Sequence, residues 1–192
     1  MSLIPAFEIG VWNAWIFTAA LFVFFFLPFL LQSIVNKAAA ERSPSTTVPL
    51  NKPEKKVNIC ASVIMALLVI YSIFLPLQLG TAWFYTGLII YLLVFIIGVI
   101  IAVNWFTTPP GEPITKGLYR YSRHPMYIMQ ALMFIGMGIA SASWVFILLS
   151  VARTISTLII AIPEERSCLE KYGDAYREYM NRTPRWLGMP KS

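Results

Sequence analysis

Long uncharged runs set the organisation of this chain. No charged residue falls from Ile9 to Val35, from Val57 to Gly111 or from Pro125 to Ala152. A hydrocarbon core about 30 Å thick takes about 20 helical residues at about 1.5 Å each. The first run predicts one membrane span, and the second is long enough for two. The third passes a single charge, Arg153, to reach Pro163, and the small polar run Ser141-Ala142-Ser143 breaks it. That break predicts a helical hairpin with arms of about 15 and about 19 residues. The first arm, Met126 to Ala140, is short for a span.

After Pro163 the pattern changes. At about 100° per residue, Glu165, Leu169, Tyr172, Tyr176 and Met180 share one stripe. Arg166, Glu170, Lys171, Asp174, Arg177 and Glu178 mostly cover the remainder. This predicts a surface helix begun by Pro163 and stopped before Pro184. The expected fold is an all-α integral membrane protein with about five transmembrane helices plus a C-terminal amphipathic surface helix. Residues 1–103 would be a transmembrane scaffold of helices one to three. Residues 104–192 would add a binding loop, the hairpin and the surface helix as one integrated domain.

Composition strengthens this reading. Apolar residues make up 58% of the chain and charged residues 12%, with a mean hydropathy of +0.68. A soluble domain carries about 25% charged residues, and a disordered one needs low hydrophobicity with high net charge. Both classes are excluded. A secretory signal is not expected, because Met1 to Gly10 has no basic residue and the following run is too long.

The net charge of +6 adds a direction. Lysine and arginine fall in loop 36–56, in the segment before the hairpin and in the tail. With five spans and an outer N-terminus, these all lie on one face. The positive-inside bias then makes loop 36–56, loop 104–125 and the C-terminal tail cytoplasmic. Anionic lipid suits such a face, and nucleic acid is not an expected partner. Cys60 and Cys168 would face the reducing side, where a structural disulfide is not expected. His124 is the only histidine and no cysteine pair has zinc spacing, so no metal site is expected. A Ser-His-Asp triad would need Asp174 and lacks a local nucleophile signature. Gly136 and Gly138 fit close helix packing. No feature sets an oligomeric state.

Polar chemistry concentrates in the second half. Spans one to three read as scaffold, with Trp12, Trp83 and Trp105 as interfacial anchors. From Asn104 to Tyr127 the chain gathers prolines, glycines, tyrosines and basic residues beside the membrane surface. Pro109-Pro110-Gly111 and Pro113 prevent continuous helix. Broken backbone at membrane depth survives when it is buried in protein or lines a polar cavity, so this segment is a candidate pocket. In Arg123-His124-Pro125, proline at the first helical turn costs nothing. Beyond that plain helix start, the free N–H groups attract a ligand carboxylate, and Arg123 can add a forked donor. Glu164 and Glu165 suit the helix dipole, and equally could hold an ammonium or sulfonium. Arg153, within a membrane helix, is by default a functional residue, unless it pairs with carbonyls or snorkels.

Two patterns here have a family likeness. G-L-Y-R-Y-S-R-H-P-M-Y (Gly117 to Tyr127) is followed, after a hydrophobic hairpin, by E-E-x3-L-x3-G-x2-Y-x2-Y on Glu164, Glu165, Leu169, Gly173, Tyr176 and Tyr179. Together they resemble the isoprenylcysteine carboxyl methyltransferase family, within a wider group of membrane methyltransferases that includes phospholipid methyltransferases. The likeness covers about Asn104 to Trp186. It implies S-adenosylmethionine as cofactor, bound by Asn104, Gly111, Glu112, Pro113, Ile114, Tyr119, His124, Pro125, Met126 and Tyr127. It also implies that Glu164 lies beside the methyl-transfer centre. We therefore expect Glu164 and Arg123 to be catalytic, and Glu164, Glu165 and Arg153 to contact the acceptor. One position departs from the family: where eukaryotic members carry a basic residue one turn before the first glutamate, this chain has Ile160.

The expected activity is methyl transfer to a lipid-like acceptor, with the carboxylate of a prenylated cysteine first and a phospholipid amine as the alternative. In-line displacement on a sulfonium needs alignment rather than a covalent intermediate, which a chain with one histidine can supply. A sterol-reductase-like oxidoreductase using NADPH and a non-enzymatic bundle are the rival readings.

Overall fold

The computed structural model describes residues 7–23, 48–109 and 111–190. The second part of the first predicted span, and loop residues 36–47, lie outside the described residues. Residues 15–23 are helical and are labelled α1. Then follow α2 (Lys52–Phe74), α3 (Ala82–Thr107), a 3-10 turn (Gly117–Arg120), α4 (Pro125–Ala140), α5 (Trp144–Tyr172) and α6 (Asp174–Arg182). The described residues contain no strand; Asn13 and Pro76 form an isolated bridge.

Local chemistry fixes the helix starts. The Glu54 side chain accepts from the Asn51 backbone N–H at 2.7 Å at the head of α2. Thr81 and Ser143 hydroxyls each accept a backbone N–H at 3.3 Å, from Phe84 and Phe146. Pro125 occupies the first turn of α4. The hairpin turns at Ser141-Ala142-Ser143 as its small polar residues predict.

Among the described residues, three helices are long and apolar enough to cross a membrane: Lys52–Phe74, Ala82–Trp105 and Trp144–Tyr172. Their outer faces expose large apolar side chains such as Leu67, Ile89, Leu93, Leu148 and Ile155. A shell of that kind fits lipid rather than water, and the chain is an integral membrane protein. At 16 residues, α4 is shorter than these.

Packing arranges the helices in a ring. α2 lies on α5, α5 on α4, and α4 on α3. α1 closes the ring: the Tyr91 hydroxyl of α3 donates to Phe17 O at 2.7 Å, and the Thr18 hydroxyl donates to Ser72 of α2 at 3.0 Å. The α3–α4 contact is close because Gly87 lies against the backbone of Gly136 and Ala140. Leu68, Met133, Met137 and Phe146 fill the centre.

The two ends of the ring differ in charge. At one end Leu77 N–H donates to Trp12 O and Gln78 N–H to Ala140 O, both at 3.0 Å. At the other, Arg166 of α5 pairs with Glu54 of α2 at 3.0 Å, and Arg123 pairs with Glu165 at 3.2 Å. The basic residues of three separate segments thus gather at one end.

Two expectations are corrected. Pro163 does not begin a new helix; it is buried inside α5, which continues past it to Tyr172. Proline removes one N–H donor, and the packing of its flanks holds the helix together. The break falls instead at Gly173, whose φ of +56° suits glycine. The separate tail helix shrinks to α6, with Tyr176 and Tyr179 buried and Arg177 and Glu178 exposed. Asn104, expected in the broken segment, lies within the last turns of α3.

Candidate functional site

The site forms where α3 ends, α4 begins and α5 leaves the apolar layer. Thr108 donates to Asn104 O at 2.7 Å and finishes α3. The chain then turns through Gly111 (φ +87°) and Gly117 (φ +61°) into the 3-10 turn. Gly117 is required twice over, by its φ and because a Cβ there would collide with the Asn104 side chain. The Asn104 amide nitrogen is buried with no hydrogen-bond partner among the described residues.

Glu165 is the hub of this end. His124 Nε2 lies 3.1 Å from Oε1, Arg123 Nη1 3.2 Å from the same oxygen, and Arg185 Nη2 2.7 Å from Oε2. Only 4% of its side chain is exposed, so these partners are what permits a buried charge. The contact between His124 and Glu165 assigns a proton to Nε2 when the ring is neutral, which turns Nδ1 toward the remaining polar groups.

Glu164 has a different environment. Its side chain is 34% exposed, the Tyr127 hydroxyl donates to its Oε1, and His124 Nδ1 stands 3.8 Å from its Oε2. The rings of His124 and Tyr127 stack with centroids 5.5 Å apart and 7° between planes. Adjacent glutamates on one helix therefore divide: one is enclosed by cations, and the other keeps an accessible carboxylate.

A strap after α6 covers the segment. Arg123 N–H donates to Pro184 O at 3.1 Å, Gly188 N–H to Tyr121 O at 3.0 Å, and the Ser122 hydroxyl to Arg185 O at 3.3 Å. The Tyr179 hydroxyl donates to Tyr119 O at 2.8 Å. The Trp186 ring lies 5.6 Å from that of His124. Burial, with the charge of Glu164 added, pushes the Tyr119 phenol above its ordinary range, so it stays protonated. The Glu165 carboxylate holds the Arg185 guanidinium above its own ordinary value.

Of the residues picked from the sequence, Arg123, His124, Tyr127, Glu164 and Glu165 come together directly. Tyr119 and Arg153 come within the electrostatic reach of Glu164. Pro125 is buried in the first turn of α4, and Met126 and Ile114 pack against the apolar core. Pro113 is half-buried, whereas Gly111 and Glu112 are exposed on the loop. Arg185, Trp186 and Ser122 are not among the residues picked from the sequence, and Tyr179 is there only as part of a motif. The signal available for the first two was Arg-Trp directly after a helix-ending proline.

The model of the phospholipid methyltransferase family matches residues 75–175, just over half of the chain. The matched stretch runs from the end of α2 to the start of α6 and contains both glutamates, while the strap lies beyond it. No curated protein matches the chain.

Proposed function

The chain belongs to the phospholipid methyltransferase family of membrane methyltransferases, and from that premise we propose that it methylates the amine of a zwitterionic lipid. The methyl donor is S-adenosylmethionine, which methyltransferases of this family generally use. The carrying observation is the accessible carboxylate of Glu164 beside Tyr127 and His124, with Glu165 already neutralised. A carboxylate in that position attracts a cationic acceptor and repels an anionic one.

The residues present fit the donor. Asn104 offers a buried N–H group without a partner among the described residues, as a polar cofactor requires. Asn104, Gly111 to Ile114, Tyr119 and His124 to Tyr127 would hold it. When bound, the donor supplies an electrophilic methyl group on a sulfonium.

The chain's own residues do the rest. Tyr127 orients Glu164 through its hydroxyl, and Glu165 with Arg123 and Arg185 orients the His124 ring. An ammonium acceptor must lose a proton before its nitrogen lone pair can react, and Glu164 or His124 Nδ1 accepts that proton. Arg123 acts through Glu165 and the loop. Five helices cross the bilayer in this reading, and the basic end faces the cytoplasm by the positive-inside bias.

Titration of detergent-purified protein with S-adenosylhomocysteine tests the cofactor. Incubation with labelled donor and either phosphatidylethanolamine or a farnesylcysteine analogue tests the acceptor. Label in the amino-phospholipid is expected. Label in the farnesylcysteine carboxyl alone would replace the amine reading, and no binding at millimolar ligand would reject methyl transfer.

A further inference from the structure

Arg153 lies in the lipid-crossing part of α5, and its Nε and Nη1 nitrogens are buried with no hydrogen-bond partner among the described residues. An unmatched guanidinium inside a membrane bundle is costly and marks a place where an anion belongs. The neighbouring hydroxyls do not serve it. Ser150, Thr154 and Thr157 donate to the helix's own carbonyls at 2.7, 2.8 and 2.6 Å. Glu164 Oε1 accepts instead from the Tyr127 hydroxyl.

Helix geometry relates Arg153 to the site. Eleven residues separate it from Glu164, which at about 100° per residue puts the two about 20° apart on one face of α5. At about 1.5 Å per residue, the Arg153 Cα is about 16 Å deeper. Its long stem carries the guanidinium into electrostatic reach of Tyr127 and Glu164. Between them on this face, Thr157 and Ala161 are small and buried. The order along the membrane normal is therefore cation below, carboxylate above. A phospholipid with its tails in the bilayer presents the matching order, phosphate below and amine above.

We propose that Arg153 is the acceptor's anion anchor: its guanidinium binds the lipid phosphodiester and so sets the amine at the depth of Glu164. The inference rests on the amine-methylation reading above and names the residue that selects the headgroup. A forked guanidinium suits a phosphodiester better than a point-charge ammonium does.

The experiment compares wild type, Arg153→Gln and Arg153→Lys, purified in detergent. Thermal shifts are read with short-chain phosphatidylethanolamine and with the matching diacylglycerol, and S-adenosylhomocysteine binding is titrated alongside. Wild type is expected to prefer the phospholipid. Arg153→Gln is expected to lose that preference and raise KM for the lipid by about tenfold or more, with cofactor affinity unchanged. Arg153→Lys keeps part of the preference. Retention of the full preference by Arg153→Gln overturns the anchor, as does an Arg153-dependent preference for a farnesylcysteine carboxylate instead. Loss of cofactor binding in Arg153→Gln makes the residue structural and also overturns it. Wild type that discriminates phospholipid through Arg153 but binds no S-adenosylhomocysteine leaves the anchor standing and defeats the methyltransferase reading.

Discussion

Arg185 grips Glu165 across twenty residues of chain, with Nη2 2.7 Å from Oε2 and Nε 3.1 Å from both oxygens. From the other side Arg123 and His124 reach Oε1. One buried carboxylate thus ties the loop, α5 and the strap together, and the lining of the candidate site depends on it.

Glu165→Gln should therefore be a stability mutation. It removes the charge that compensates Arg123, whose side chain is 10% exposed. Breaking a buried pair by removing one partner costs about 3–5 kcal/mol. Arg185 is 39% exposed, and water takes over part of its compensation. We expect about 2–3 kcal/mol after that discount, seen as a clear fall in Tm in detergent. Arg166→Ala, which opens the solvent-screened pair with Glu54, should lower Tm far less. Equal effects would remove the distinction drawn between these pairs.

Cutting the strap should loosen the loop without unfolding the bundle. The Arg123 amide depends on Pro184 O, and the Ser122 hydroxyl on Arg185 O. Deleting residues 184–192 leaves both without these acceptors. Hydrogen exchange across residues 119–124 should then quicken by on the order of tenfold or more, while α2 and α3 keep their protection. Uniform exchange across the chain would mean the strap supports the whole ring instead.

Gly87 supplies a packing test away from the site. A Cβ there would overlap the Gly136 carbonyl oxygen and the Ala140 amide nitrogen, which are backbone atoms with little room to yield. Gly87→Ala should cost about 1–3 kcal/mol, with a lowered Tm. A neutral Gly87→Ala would show that α3 and α4 can separate freely.

How much of this was readable from the sequence follows from the range of each interaction. The hairpin turn was legible because Ser141, Ala142 and Ser143 interrupt an apolar run, and the turn sits there. The meeting of Arg123-His124 with Glu164-Glu165 was approached through helix ends and charge, both local signals. The partition between the glutamates was not legible: it is set by Arg185, twenty residues on, and by a stacking direction that no spacing encodes. Pro163 misled for a physical reason, since a proline's local penalty is small beside the burial that carries α5 through it. Gly173, which does end α5, was noted as part of a motif and not as a stop.

Glu164 and Tyr127 give the sharpest functional contrast with Glu165. Glu164 is a third exposed and, among the described residues, holds no cation within hydrogen-bond range, so Glu164→Gln removes little packing. Its stability change should stay within about 1 kcal/mol. In the proposed amine methylation, however, this carboxylate attracts the acceptor and takes its proton, and a positioned base contributes about 10²–10⁴-fold. Glu164→Gln should lower kcat/KM by about 10²-fold or more. Tyr127→Phe keeps the ring stacked on His124 and removes only the orienting hydroxyl, so a loss of about tenfold is expected. Labelled-donor assays beside thermal melts separate the outcomes. Full activity in Glu164→Gln with an unchanged Tm would remove this carboxylate from the reaction.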